Sequence, residues 1–475
     1  MITNNDIDEA IYKRWIAPTK NKKQKYIGTE FELPIVNLDK KAVDFKIVHR
    51  LTKSFAEHFG FDSFHYDDDG NICAAEHSDK NGNGDSISFD CSYNTLELSF
   101  GKETSLHRID ARFRRYVGFI NEFLSDYHHI LTGMGLNPYY QFDNLVPIPN
   151  GRYRMLLHHL KSYEKYADQM LFHNIPYYGL IACSEQTHID VSENELVRFI
   201  NVFNRLEPFK ALLFANSPSD EYLCLRDHLW RESMHGLNPH NVDSWNVELH
   251  SVDEIVAYIR SMSLYCTERD GHYINFTPTP LETYFASKNV TGEYWDGNQY
   301  QRIEWQPELN DLQYLRSFKF VDLTFRGTLE LRSTCTQPFS EAMSVPALNV
   351  GLSQRLGELE EILDKSEIFR YGYTTAELRK MFVKTPLPAF AHSDKLKVTL
   401  HQIVWLAYNG LRDRGLGEEE LLLPLLDRAD RMESPAAEMV RNLKNGKTLE
   451  DYILRYGSFG VNAEEQSCCT LMMNI

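Results

Sequence analysis

Three short segments of this chain alternate acidic and apolar side chains with the period of a β-strand. In residues 28–33 (GTEFEL), Glu30 and Glu32 fall on one face of an extended chain and Phe31 and Leu33 on the other. In DSISFDCSYNTLELSF, Asp90 and Glu97 stand seven residues apart, an odd separation that would send them to opposite faces of a single strand. A turn through Ser92, Tyr93 and Asn94 would restore them to one face, with Asp90 ending one strand and Glu97 inside the next. In GTLELRS, Thr328, Glu330 and Arg332 share a face over Leu329 and Leu331.

Any one of these segments also fits a solvated strand edge with a buried back. Taken together they supply five carboxylates. Two like charges ~4 Å apart repel by roughly 4 kcal/mol at a surface-like dielectric, so five converging acids require protons or bound cations. An oxygen-only set suits hard ions, Mg²⁺ or Mn²⁺, and Mg²⁺ normally shares its shell with phosphates. ATP is the matching co-substrate.

Phosphoryl transfer also needs cations where charge accumulates, and the planar fork of arginine serves best. Arg226 in LCLRDHLW and Arg332 are the candidates. In CSEQTHIDVS, Gln186, His188 and Asp190 alternate with Thr187, Ile189 and Val191, so three polar side chains face one way and can line a substrate cavity, His188 in a positioning role. The pairs His128/His129 and His158/His159 fall in helix-like segments, where adjacent residues diverge by about 100°, which argues against shared metal binding.

The elements that must position these groups are read from periodicity. Strands are expected over KYIGTEFELPIV, DSISFDC, NTLELSF, GLIACSEQTHIDVS and GTLELRS. Helices are expected over KIVHRLTKSFAEHF, SLHRIDARFRRYVGFINEFLSDYHHI, NELVRFINVFNRLEPFKALLF and VDEIVAYIRSMSLYC. From Ser340 onward the pattern is almost wholly helical. This divides the chain into a catalytic unit over 1–339, a helical portion over 340–458 packed on it, and a tail over 459–475 containing Cys468 and Cys469.

The 475 residues, 43% of them hydrophobic, can bury a large core, and a formal net charge of -17 disfavours a broad electrostatic grip on nucleic acid or anionic membrane. Small molecules are the expected partners. The polar, acidic start and the lack of a long apolar run predict a cytoplasmic location, with eight scattered cysteines kept as thiols. The helical stripes fit a monomer or a homodimer equally well.

The order of GTEFEL, SISFDCSYNTLELS, GRYRMLLHHL, CSEQTHIDVS, LLFANSPS, LCLRDHLW and LELRS across residues 26–332 resembles the glutamate–cysteine ligase family, in its plant and proteobacterial type. The resemblance implies an α+β, glutamine-synthetase-like fold, a curved antiparallel funnel surrounded by helices. By motif, Glu30, Glu32, Asp90, Glu97 and Glu330 would be metal ligands, and Arg226 and Arg332 would face the glutamate carboxylate or the transferring phosphoryl group. Gln186, His188, Arg226 and Trp230 form the implied substrate-binding set. The implied activity is ATP-dependent joining of the glutamate γ-carboxylate to the cysteine amine, the first step of glutathione biosynthesis. The runner-up is a ligase using another acid or amine, and the opposing class is a non-catalytic binding protein on the same scaffold. Asp90 stands where plant members carry Glu, and His188 where they carry Asn.

Overall fold

Alternation in residues 27–37 buries Phe31, Leu33 and Ile35 on one side and leaves Glu30 and Glu32 to the other, and this strand organises the main sheet. The computed structural model describes residues 2–460 except 21, 23–24, 79–82, 167 and 169–172. The tail from 461 onward, with Cys468 and Cys469, lies outside the described residues.

Eight strands form the main ladder: β1 (Ile27–Asn37), β2 (Ser63–Tyr66), β3 (Ile72–Ser78), β4 (Gly84–Phe89), β5 (Thr95–Glu103), β6 (Ser184–Asp190), β7 (Val321–Leu323) and β8 (Thr328–Cys335). They pair in the order β7-β8-β6-β1-β5-β4-β3-β2, each neighbouring pair antiparallel. A short strand, His129–Leu131, adds to the far end of β1. The α+β expectation with an antiparallel sheet holds.

The apolar face of this sheet carries Phe31, Ile87, Leu96, Leu98, Leu329 and Leu331, all buried. Helix Leu106–Ser125 covers it, and the Phe31 and Phe113 rings meet with centroids 4.5 Å apart. Helix Ser344–Gln354, from the C-terminal portion, backs β6, where Asn349 donates to the Thr187 hydroxyl at 3.1 Å. One connected core runs from Ile7 to Ala436. The face opposite to it is left for chemistry.

Two segments depart from the helical reading. Helix Val252–Ser261 stops before SLYC, and Ser263–Arg269 is instead a strand paired with His272–Pro280. The cause lies just downstream: Asp270 and Gly271 have φ of 53° and 79°, the left-handed pair of a tight hairpin turn. These strands join Val290–Trp295 and Tyr300–Trp305 in a second, four-stranded antiparallel sheet. Likewise helix Leu106–Ser125 ends before His128, whose φ is 56°, and His129 belongs to the strand that pairs with β1. His158 and His159 are helical as expected. No helix among the described residues is long and apolar enough to cross a membrane.

Candidate active site

Register, rather than sequence proximity, assembles the polar face. Asp322, Glu330 and His188 lie side by side on β7, β8 and β6, with Gly28 of β1 next in the row. Glu30 sits between Gln186 and Ser99 in another row, and Glu32 beside Glu97 and then Ser88 in a third. A Cβ at Gly28 would lie 3.2 Å from the His188 Cβ, so a larger residue there would press on the imidazole. The expected turn between Asp90 and Glu97 is present: the Ser92 amide donates to the Asp90 carbonyl at 2.7 Å and the Thr95 amide to the Ser92 carbonyl at 3.1 Å. Asp90, two residues beyond Ser88, thereby shares the face of Glu97.

The acids are sparsely satisfied. Glu97 accepts from the Ser99 hydroxyl at 2.8 Å, and Asp90 from the Cys91 thiol at 3.4 Å. Glu32 is better held, by the Ser184 amide at 2.6 Å and the Gln186 side-chain amide at 2.8 Å. Burial, then the repelling charges of Glu30, Asp90 and Glu32, pushes the Glu97 carboxyl well above its ordinary range. Burial and the Asp90 charge raise Glu32 to about 7, against the pull of Arg226. Asp90 is raised by burial although the Arg152 charge opposes it.

Glu30 behaves in the opposite way. Burial would raise it, but the charge and hydrogen bond of His188, with Arg326 and Arg332, outweigh that and lower it. The His188 Nε2 lies 3.1 Å from Glu30 Oε1, and Nδ1 lies 3.4 Å from the Thr328 hydroxyl. Burial would lower His188, yet the charges of Glu30 and Glu330 raise it. Glu30, His188 and Glu330 each offer a ligand atom, all within 4.8 Å of one another. An imidazole thus stands inside the acidic cluster, beside the carboxylates expected as an all-oxygen set.

Arg332 lies 3.6 Å from Glu330 and 3.9 Å from Asp322. Arg226 is placed differently. Its guanidinium donates to the carbonyls of Ser333 and Arg332, both at 3.2 Å, and so braces the β8 backbone behind the site. Trp230 packs against both arginines, their guanidinium carbons 5.5 and 5.6 Å from its ring.

Two cavities flank the cluster and share Glu30, His188 and Arg326. The larger, about 970 Å³, is bordered by Tyr26, Phe100, Lys22, Lys102, Glu97 and Ser99. The smaller, about 440 Å³, is bordered by Arg14, Arg152, Arg316 and Arg332, with Asp322, Glu330 and apolar Trp15 and Leu315. Arg14, Arg152, Arg316, Arg326 and Asp322 escaped the sequence reading. Asp322 carried a legible signal, since VDL precedes GTLELRS by the length of a tight hairpin and its register sets it against Glu330. Burial and the Glu330 charge raise Asp322 to about 7.

An open antiparallel sheet with an acidic face, flanked by a cavity of mixed charge and a smaller arginine-rich one, is an arrangement able to handle cations and anions together. Residues 53–363 match the family model "Glutamate-cysteine ligase family 2". The chain belongs to that family. It is 24% identical to the chloroplastic glutamate–cysteine ligase of Solanum lycopersicum over 366 residues, 74% of this chain and 64% of the tomato protein. The corresponding Medicago truncatula protein is 23% identical over 443 residues, 90% of this chain and 80% of that one. This chain thus spans less than two thirds of the tomato relative's length. Among solved structures, a glutamate–cysteine ligase from Francisella tularensis in complex with AMP is similar at 13% identity and TM-score 0.42, covering 92% of this chain and 89% of that one.

Proposed function

We propose that this protein is an ATP-dependent ligase that joins the γ-carboxylate of glutamate to the amine of cysteine, as its family membership suggests. The observation that carries the reading is the under-compensated acidic face: Glu32 is buried and Asp90 and Glu97 half-buried beside it, all three with raised pKa values, and Asp90 and Glu97 with few donors. Such a cluster fits divalent cations, which replace the missing counter-charge. Glu30, Glu32, Asp90, Glu97 and Glu330 would hold them, and His188 joins that set through Glu30 and Glu330. The nitrogen donor admits somewhat softer ions than an all-oxygen set, so Mn²⁺ is as suitable as Mg²⁺. Bound cations would neutralise phosphate oxygens and ease the approach of an anionic nucleophile.

The protein's own residues set the rest. The larger cavity offers aromatic Tyr26 and Phe100 with Lys102 and with Lys22, which is paired to Asp190, a chemistry suited to a nucleotide and its phosphates once cations are bound. Arg326, on the border of both cavities, and Arg332 stand where charge on the transferring group develops. Glutamate's γ-carboxylate oxygen attacks the terminal phosphorus of ATP, ADP leaves, and the resulting γ-glutamyl phosphate loses phosphate when the acceptor amine attacks its carbonyl. Arg226 acts by position, fixing the carbonyls of Arg332 and Ser333. His188 orients Glu30, and Gln186 holds Glu32. The reaction belongs to glutathione biosynthesis in a cytoplasmic setting, and the buried cysteines are free thiols, in keeping with that setting.

Incubation with ATP, Mg²⁺, glutamate and a panel of amines, read by mass spectrometry, tests the proposal. γ-Glutamylcysteine as the main product is the expected result. Ligation to another amine alone would move the function to a related ligase, and no ADP with any amine would return the chain to a non-catalytic binding role.

A further inference from the structure

The smaller cavity holds more positive charge than the proposed chemistry uses. Of its five arginines, Arg332 is balanced by Glu330 and Asp322. Among the described residues, Arg14, Arg152, Arg316 and Arg326 have no carboxylate within ion-pair reach. Arg152 faces Asp90 through space, and its pKa is raised because Tyr153 and Asp90 outweigh burial. Arg326 borders both cavities. Arg14 and Arg316 remain, and neither forms an ion pair among the described residues.

Their setting is built for a ligand. Helix Asn4–Ile11 widens into a π-helical turn over Tyr12–Ile16, the kind of irregularity that gathers at functional sites, and Arg14 sits in it. The Arg14 Nε is buried with no hydrogen-bond partner, while the guanidinium rests 5.3 Å from the Trp15 ring and 5.4 Å from the Phe325 ring. Arg316 is aimed by its own segment, donating to the carbonyls of Gln313 at 2.9 Å and Leu315 at 3.2 Å. Burial, followed by the Arg316 charge, lowers the Arg14 pKa. Two guanidinium groups held together without a counter-ion are unfavourable until an anion arrives, and a carboxylate matches their forks.

We propose that Arg14 and Arg316 clamp the carboxylate of the acceptor and are the residues that set its preference for an α-amino acid over a simple amine. This rests on the ligase reading above. The acceptor is assigned to them because neither lies on the acid-bearing strands, whereas Arg332 is held against Glu330 and Asp322 of the acidic face. The apolar surface of Trp15, Leu315 and Phe325 then meets the acceptor's side chain.

Steady-state kinetics with cysteine and with cysteamine, which has the same thiol and amine but no carboxylate, tests the clamp at saturating ATP and glutamate. Wild-type enzyme is expected to prefer cysteine by about 10²-fold or more in kcat/KM. In Arg14→Met, and separately in Arg316→Met, the KM for cysteine should rise on the order of tenfold to a hundredfold. kcat should fall far less, and the preference over cysteamine should collapse. Thermal unfolding of each variant separates a lost clamp from a lost fold. A cysteine KM that does not move in folded variants, a larger rise in the glutamate KM, or an equal loss with cysteamine would overturn the clamp while leaving the ligase intact. Absence of ligation by wild-type enzyme with every amine is a separate outcome that removes the ligase reading itself.

Discussion

Two groups of buried charges meet at the carbonyl of Ser333, and they are built in opposite ways. On one side, Arg379 donates to both oxygens of Asp227 at 2.7 and 3.0 Å, to Glu207 at 2.7 Å and to the Ser333 carbonyl at 3.1 Å. Lys210 completes the group at 2.8 Å from Glu207, so that every charge has a partner. Burial would raise Asp227, but Arg379 outweighs it and the carboxyl is lowered. On the other side, reached through Arg226, the acids of the sheet face have few donors, and Glu97, Asp90 and Glu32 are raised. Withdrawal from solvent, complete in the Arg379 group and partial at Asp90 and Glu97, is common to both groups, so it does not mark function. What distinguishes the sheet face is that several incompletely compensated acids gather on it, so that the missing partner is best supplied from outside the chain.

The sharpest way to break this comparison is Arg379→Met. It removes both Arg379 hydrogen bonds to buried Asp227 and leaves Glu207 to Lys210 alone, and should cost about 3–5 kcal/mol, seen as a large drop in thermal or denaturant midpoint that added Mg²⁺ does not restore. A variant as stable as wild type would mean that the paired group is not structural. Glu330→Gln should act the other way, lowering ADP release on the order of 10²-fold with little change in midpoint. Normal ADP release from that variant would remove Glu330 from the reacting centre.

Smaller effects sharpen the contrast. Glu97→Gln removes one repelling acid, so without divalent ions it should be more stable than wild type by roughly 1 kcal/mol, and it should gain less from Mg²⁺. Destabilisation in metal-free buffer would count against crowded, uncompensated charge. The smallest effect is in pH dependence. Glu32 and Asp322, raised to about 7 in the fold, stabilise it fully when protonated, below their unfolded values, and lose that contribution as pH rises through about 7. Between pH 5 and 8 the metal-free stability of Glu32→Gln should therefore fall less than that of wild type. Equal slopes would contradict the raised values.

Much of the acidic face was legible because its logic is local. Strand parity in GTEFEL and GTLELRS fixes which side chains share a face, and the odd spacing of Asp90 and Glu97 requires the turn that is found at Ser92 to Asn94. The second sheet was hidden by a local ambiguity, since VDEIVAYIRSMSLYC carries helical spacing throughout while the Asp270–Gly271 turn that pulls its end into a strand lies beyond it. Arg14 and Arg316 were illegible for a different reason. Their segments have no acidic or phosphate-binding pattern, and only tertiary packing brings them to one cavity. Arg226 shows the same limit in reverse: its motif marked it as important, yet its geometry assigns it to the backbone of β8.

The central claim, that the sheet face is completed by divalent cations, is tested most directly by crystals soaked in MnCl₂ and measured at a wavelength where manganese scatters anomalously. Anomalous peaks about 2.0–2.3 Å from carboxylate oxygens of Glu30, Glu97 or Glu330, with at least one adjoining His188, are the predicted result. A well-ordered map of the same face with no anomalous peak, from crystals in which Mn²⁺ is in excess, would contradict it.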